Sequence, residues 1–94
     1  MIEQDGGAIR FSGPLTMVTA NEALRESEEL FAQEGPWELD FSGVDDVDSA
    51  AVSLLLEWVR QAERLGVKLR ISHLPDNLQC LVKVYGVEDL LPAA

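Results

Sequence analysis

Cysteine and histidine each occur once in this 94-residue sequence, as Cys80 and His73, and that scarcity removes whole classes of chemistry. A lone thiol forms no internal disulfide and no cysteine-rich zinc site; Cys80, set in an apolar helical pattern, is expected to be a small buried hydrophobe. There is no Gly-rich phosphate loop, no paired-histidine zinc motif and no CxxC, so the inventory for a self-contained active site is missing. Basic residues are few as well. Seven Lys and Arg against seventeen Asp and Glu leave a net charge of −10, which opposes binding to nucleic acid or an anionic membrane and favours a basic or mixed protein surface as partner. No apolar run reaches signal-peptide or membrane-span length, so a soluble, cytoplasmic protein without direct membrane insertion is expected.

Apolar residues are nevertheless spread along the whole chain, 47% of the total, which suffices for one small core and not for two. Residues 1–94 are therefore read as a single domain.

The stretch from Asp40 to Trp58, DFSGVDDVDSAAVSLLLEW, organises the rest. Leu39, Phe41, Val44 and Val47 suit a strand and its exit, while Gly43 and Asp45-Asp46 signal a turn. A helix then starts at Asp48 or Ser49. Either side chain is able to accept a hydrogen bond from the free N–H groups of the first turn, and Ala50-Ala51-Val52-Ser53-Leu54-Leu55-Leu56 propagates the helix. Ser49 is thereby set at the positive end of a helix dipole. Capping alone accounts for a serine there. Recognition by a partner, or acceptance of a phosphate, is the functional alternative; a phosphate would meet free N–H groups and also repulsion from Asp46 and Asp48.

Before this stretch, residues 2–4 and 8–12 read as a β-hairpin about Asp5-Gly6-Gly7, with Gly13-Pro14 stopping its second strand. Thr16 or Thr19 is expected to cap a helix to about Gln33. Its inner face is Ala20, Ala23, Leu24, Ser27, Leu30 and Phe31, and its outer face carries Glu22, Arg25, Glu26, Glu28 and Glu29. Residues 37–42 form the third strand. In the second helix, to about Leu65, Val52, Leu55, Leu56, Val59 and Ala62 share one face with Leu54 and Trp58 on a neighbouring one, and Gly66 closes it. Residues 67–72 alternate as a fourth strand. Asp76 or Asn77 caps a third helix with Leu78, Leu81, Val82 and Tyr85 inside, Gly86 ends it, and residues 87–92 fold back as a short turn. The order β-β-α-β-α-β-α predicts an α/β fold: a mixed four-stranded sheet with an N-terminal antiparallel hairpin and a layer of helices.

Two chemical readings compete with recognition. Asp45, Asp46 and Asp48 are numerous enough to suggest Mg²⁺, and His73, at a strand exit, is a formal candidate base for Ser49. Turn formation and an exposed loop position are the plainer roles, and neither metal nor cofactor is expected.

Asp40-Phe41-Ser42-Gly43-Val44, followed by Val47-Asp48-Ser49-Ala50-Ala51 and a Leu-rich helix, resembles the STAS domain shared by anti-sigma-factor antagonists and their relatives. Gly13-Pro14-Leu15-Thr16 and Leu74-Pro75-Asp76-Asn77-Leu78 match as well, so the resemblance covers nearly the whole chain. Within that class, Leu55-Leu56-Glu57-Trp58 and the ending from Leu81 to Pro92 are similar to the MlaB family, the small cytoplasmic STAS subunits of the Mla phospholipid-transport ABC complex in Gram-negative bacteria.

The resemblance implies no catalytic activity, binding to the ABC transporter ATPase subunit, and a part in outer-membrane lipid asymmetry. It implies a cytoplasmic location, tied to an inner-membrane complex through that partner. Ser49 matches the phosphoacceptor position of sigma-factor regulators, which serves as a hydroxyl at the ATPase contact in the MlaB group. By the same matching, the partner surface comprises Asp46, Asp48, Ser49, Ala50 and Ala51 with the loops at Leu15-Thr16 and Leu74-Pro75. The alternative is an anti-sigma-factor antagonist, with a serine kinase and an anti-sigma factor as partners. Those proteins frequently carry a glycine soon after the serine, where this chain has Ala50, Ala51 and Val52.

Overall fold

Residues two apart in a strand share a face, and here one face takes nearly all the apolar side chains. The structure, a computed structural model, describes residues 2–5, 8–31 and 35–91. Four strands, β1 (Ile2–Asp5), β2 (Ala8–Leu15), β3 (Trp37–Val47) and β4 (Leu69–Ser72), form one sheet in the order β1-β2-β3-β4. β1 and β2 are antiparallel, whereas β2–β3 and β3–β4 are parallel. The expected hairpin is therefore present, although Gly6 and Gly7 of its turn lie outside the described residues. Ile9, Phe11, Trp37, Leu39, Phe41 and Ile71 are buried on one side of the sheet. Glu3, Arg10, Asp40 and Ser72, in register across the four strands, lie on the other.

Helices α1 (Ala20–Phe31), α2 (Ser49–Leu65) and α3 (Asp76–Val84) contribute their buried residues to the same core, and a 3-10 turn at Glu88–Leu90 follows. The element order is the one the sequence predicts, with that turn where a short fold-back is expected. Trp58 is at the centre of the core. Its ring lies 4.7 Å from Phe11, 6.1 Å from Phe41 and edge-on to Phe31 at 6.2 Å, and its indole N–H donates to Ser27 Oγ at 3.0 Å. Ser27, itself sealed from solvent, donates onward to Leu24 O at 2.7 Å, so the polar atoms taken out of water are paired. The buried arc of α2 runs through Ala51, Val52, Leu54, Leu55, Trp58 and Ala62. Leu56 and Val59, expected within it, sit half-buried at its margin because α2 is flanked by both α1 and α3 and its buried arc is turned toward Leu54 and Trp58.

The strands run further than the turn signals predict. β2 continues through Gly13-Pro14 to Leu15, and β3 through Gly43 and Asp45-Asp46 to Val47. Two register shifts absorb the extra residues: Arg10 and Ser12 stand against Asp40 and Gly43, then Gly13 and Leu15 against Val44 and Val47. Pro14 falls inside the second shift, where β1 no longer flanks β2, so its missing N–H breaks no ladder bond. Gly43 is required by close approach, since a Cβ there would lie 2.9 Å from Ser12 Cβ and 3.0 Å from the carbonyl oxygen of Phe11.

Other expectations are corrected locally. α1 starts at Ala20, and the hydroxyls of Thr16 and Thr19 serve the preceding loop instead of the helix. Thr19 Oγ1 accepts from Thr16 N–H and donates to Pro14 O, both at 3.0 Å, and Thr16 Oγ1 accepts from Val18 N–H at 3.3 Å. Gln33, Pro92 and the Leu30 side chain lie outside the described residues. β4 begins only at Leu69. Pro75 holds the cap position of α3, and neither Asp76 nor Asn77 caps it. Cys80 is exposed, because Leu78 and Val82 turn inward and the residue midway between them points away. Tyr85, just past the last turn of α3, is 53% exposed and outside the inner face.

Candidate functional site

β3 ends at Val47 and α2 begins at Ser49, so Asp48 alone makes the connection. Its backbone is extended, and its Oδ1 accepts the N–H of Ala50 at 2.8 Å, which makes Asp48 the N-cap. Its Oδ2 accepts the N–H of Met17 at 2.9 Å. One carboxylate thus ties the helix start to the loop between β2 and α1 through two charge-assisted hydrogen bonds.

Ser49 is the first helical residue and not the cap, which corrects the capping role expected of it. Its side chain is exposed, and the hydroxyl has no hydrogen-bond partner among the described residues. It stands free at the positive pole of a seventeen-residue helix.

Around this hydroxyl the remaining candidates divide. Asp45 and Asp46 are exposed on the last residues of β3. Asn77 Nδ2 donates to the Asp45 carbonyl at 3.2 Å while its Oδ1 accepts from Leu78 N–H at 2.9 Å, fastening the start of α3 to the same rim. Half-buried Leu74 and Pro75 lead into that start, and half-buried Ala50 and Thr16 flank Asp48. Leu15 and Ala51, by contrast, are 3% and 0% exposed. Both side chains belong to the core, so they shape the rim from beneath and present nothing to a visitor.

Sequence reasoning missed Met17 and Val18, which are 76% and 91% exposed in the loop that Asp48 holds. The available signal was an adjacent apolar pair between a strand and a helix, outside either periodic pattern.

The alternative chemistry is not assembled here. Among the described residues, no three His, Cys, Asp or Glu side chains are arranged to hold a metal ion, and both Asp48 oxygens already accept backbone N–H groups. His73 Nδ1 lies 3.4 Å from Asp40 Oδ1, and Arg10 Nε lies 3.8 Å from Asp40 Oδ2. Partial burial pushes the Asp40 pKa up, but hydrogen bonds from the Ser42 N–H and hydroxyl, together with His73 and Arg10, outweigh it and hold the carboxyl below its ordinary value. A groove of about 700 Å³ between β4 and α3, lined in part by Ile71, Leu74, Val82 and Leu91, opens beside His73.

A family model described as the Mlab STAS domain matches residues 2–92. The chain belongs to the MlaB STAS-domain family. Domains of this family are in general regulatory and non-enzymatic. The anti-sigma factor antagonist SpoIIAA in its unphosphorylated form superposes with a TM-score of 0.73 at 17% identity, covering 100% of this chain and 86% of SpoIIAA. Mglu superposes with a TM-score of 0.61 at 21% identity, covering 83% of this chain and 20% of Mglu. At such identities the likeness is one of fold: the mixed sheet and helical layer are those of a STAS domain. This chain spans about a fifth of the length of Mglu. No curated protein matches the sequence. Among the described residues, no helix is long and apolar enough to cross a membrane.

Proposed function

We propose that this MlaB-family domain is a non-enzymatic regulatory or assembly subunit. Through the surface around Ser49 it binds the cytoplasmic ATPase of a phospholipid-transport ABC complex, and so serves outer-membrane lipid asymmetry. The observation that carries the reading is the division of labour at the start of α2. Asp48 caps the helix, so the exposed Ser49 hydroxyl is left over for another molecule at a pole that favours acceptor groups. Asp46, Ser49 and Ala50 meet the partner with Thr16, Leu74 and Pro75 at the edges, and Asp48 holds the surface in shape. The domain is kept at an inner-membrane complex through this partner.

When the chain is co-expressed with the transporter ATPase, the two are expected to co-purify. Ser49→Trp, which fills the space over an exposed position, is expected to release the ATPase while the thermal unfolding temperature stays within a few degrees of wild type. Elution of the wild-type chain apart from the ATPase in size-exclusion chromatography overturns the reading.

The same free hydroxyl, together with a fold shared with SpoIIAA, favours a second reading: an anti-sigma-factor antagonist switched by phosphorylation of Ser49. Incubation with serine kinases from the same cell is then expected to add one phosphate, found on Ser49 by intact and fragment mass spectra. Absence of that phosphate under every growth condition sets the alternative aside.

A further inference from the structure

We infer that the Met17–Val18 turn is the apolar anchor of the docking surface, fitting a protein partner that presents an apolar recess edged by Lys or Arg; the inference rests on the docking reading above. Val18 is the most exposed of the large apolar side chains described, and Met17 is its neighbour. An apolar side chain stabilises a fold through the area it removes from water, and these two remove almost none. Packing therefore does not account for an apolar pair at this place.

The turn that carries them is pinned at several points. Met17 N–H donates to Asp48 Oδ2 at 2.9 Å, Val18 N–H to Thr16 Oγ1 at 3.3 Å, Thr19 N–H to Thr16 O at 3.0 Å, and the Thr19 hydroxyl to Pro14 O at 3.0 Å. With the backbone of the pair already held, entry into a recess costs side-chain ordering and little loop ordering. Since the pin is Asp48, whose chain neighbour is Ser49, turn and hydroxyl share one surface.

Charge sets the chemistry of the recess. Asp45, Asp46 and Asp76 are exposed on the strand end and helix start beside this surface, and among the described residues none of them is in a salt bridge. Five of the seven basic residues, Arg60, Arg64, Lys68, Arg70 and Lys83, come after residue 59, in the far half of α2, in and before β4, and in the last turn of α3. The anchor therefore stands in a field that draws a basic edge and repels an acidic one.

The test uses the full chain and the ATPase of the phospholipid-transport complex as probe. Loss of two anchoring apolar side chains in Met17→Ser/Val18→Ser is expected to raise Kd at least about tenfold, with an unchanged unfolding temperature because both side chains are exposed. Wild-type affinity is expected to fall as salt rises from about 0.05 to about 0.5 M, and to fall less steeply in Asp45→Asn/Asp46→Asn. If the double serine variant binds like wild type while Ser49→Trp does not bind, the anchor is wrong and the Ser49 reading stands. Affinity indifferent to salt removes the basic edge, and a wild-type chain that binds no ATPase overturns both the docking reading and the anchor.

Discussion

Replacing Asp48 by alanine removes two hydrogen bonds with one side chain, and their separate worth is open to estimation. The Oδ1 bond to Ala50 N–H, at 2.8 Å, is an N-cap, whose loss costs about 1 kcal/mol. The Oδ2 bond to Met17 N–H, at 2.9 Å, is exposed, so water re-forms it and its loss adds about 0.5 kcal/mol. The sum of about 1.5 kcal/mol corresponds to a fall of roughly 6–12 °C in unfolding temperature for a domain of this size. Asp48→Asn keeps one acceptor for the cap and turns an amide toward Met17, so it is expected to lose about half as much. Ser49→Ala removes a hydroxyl that bonds to nothing described and substitutes a better helix former, and is expected to stay within about 0.5 kcal/mol of wild type. Urea unfolding followed by circular dichroism, with a common m-value, measures all three. Equal losses for Ser49→Ala and Asp48→Ala would return the cap to Ser49 and remove the ground for treating its hydroxyl as available.

Further perturbations test the frame that holds this site. Gly43→Ala forces a Cβ to within 2.9 Å of Ser12 Cβ and 3.0 Å of a backbone oxygen, and is expected to lower the urea midpoint by an amount equivalent to about 1–3 kcal/mol. Ser27→Ala leaves the Trp58 indole N–H buried without its acceptor, at about 1–3 kcal/mol, read as a lower unfolding temperature. Asp40 has a folded pKa below its ordinary 3.8, so its contribution to stability is complete above that value and is lost as pH falls through the folded pKa. Asp40→Asn is therefore expected to be less stable than wild type at neutral pH and to show a shallower loss of stability below about pH 4 in denaturant titrations at stepped pH. An unchanged acid limb in that variant contradicts the environment assigned to Asp40.

The fold was legible because its strongest signals are periodic. Alternation in the strands, three-and-four spacing in the helices and the Gly66 stop of α2 each describe one physical event, and the element order followed from them. Even the inward Ser27 was legible on the inner face of α1, although its reason, the indole N–H of Trp58, arrives from thirty-one residues away and has no local trace. What misled were local punctuation marks that tertiary context overrode. Gly13-Pro14 and Gly43 look like strand ends, yet both are absorbed where β2 and β3 slip in register, so the strands reach the rim of the site. The choice between Asp48 and Ser49 as cap was undecidable from adjacency, because it turns on which oxygen also meets Met17, a partner in another segment. Met17 and Val18 escaped because periodicity reports what is buried and has nothing to say about an apolar pair held outward.

The helices all lie against one side of the sheet, and this decides what the other side has to offer. The opposite side lays opposite charges on neighbouring strands at Glu3, Arg10 and Asp40, and again at Glu38 and Arg70. Opposite signs on adjacent strands offset one another within one molecule, so this face gathers little net charge and little apolar area with which to recruit a visitor.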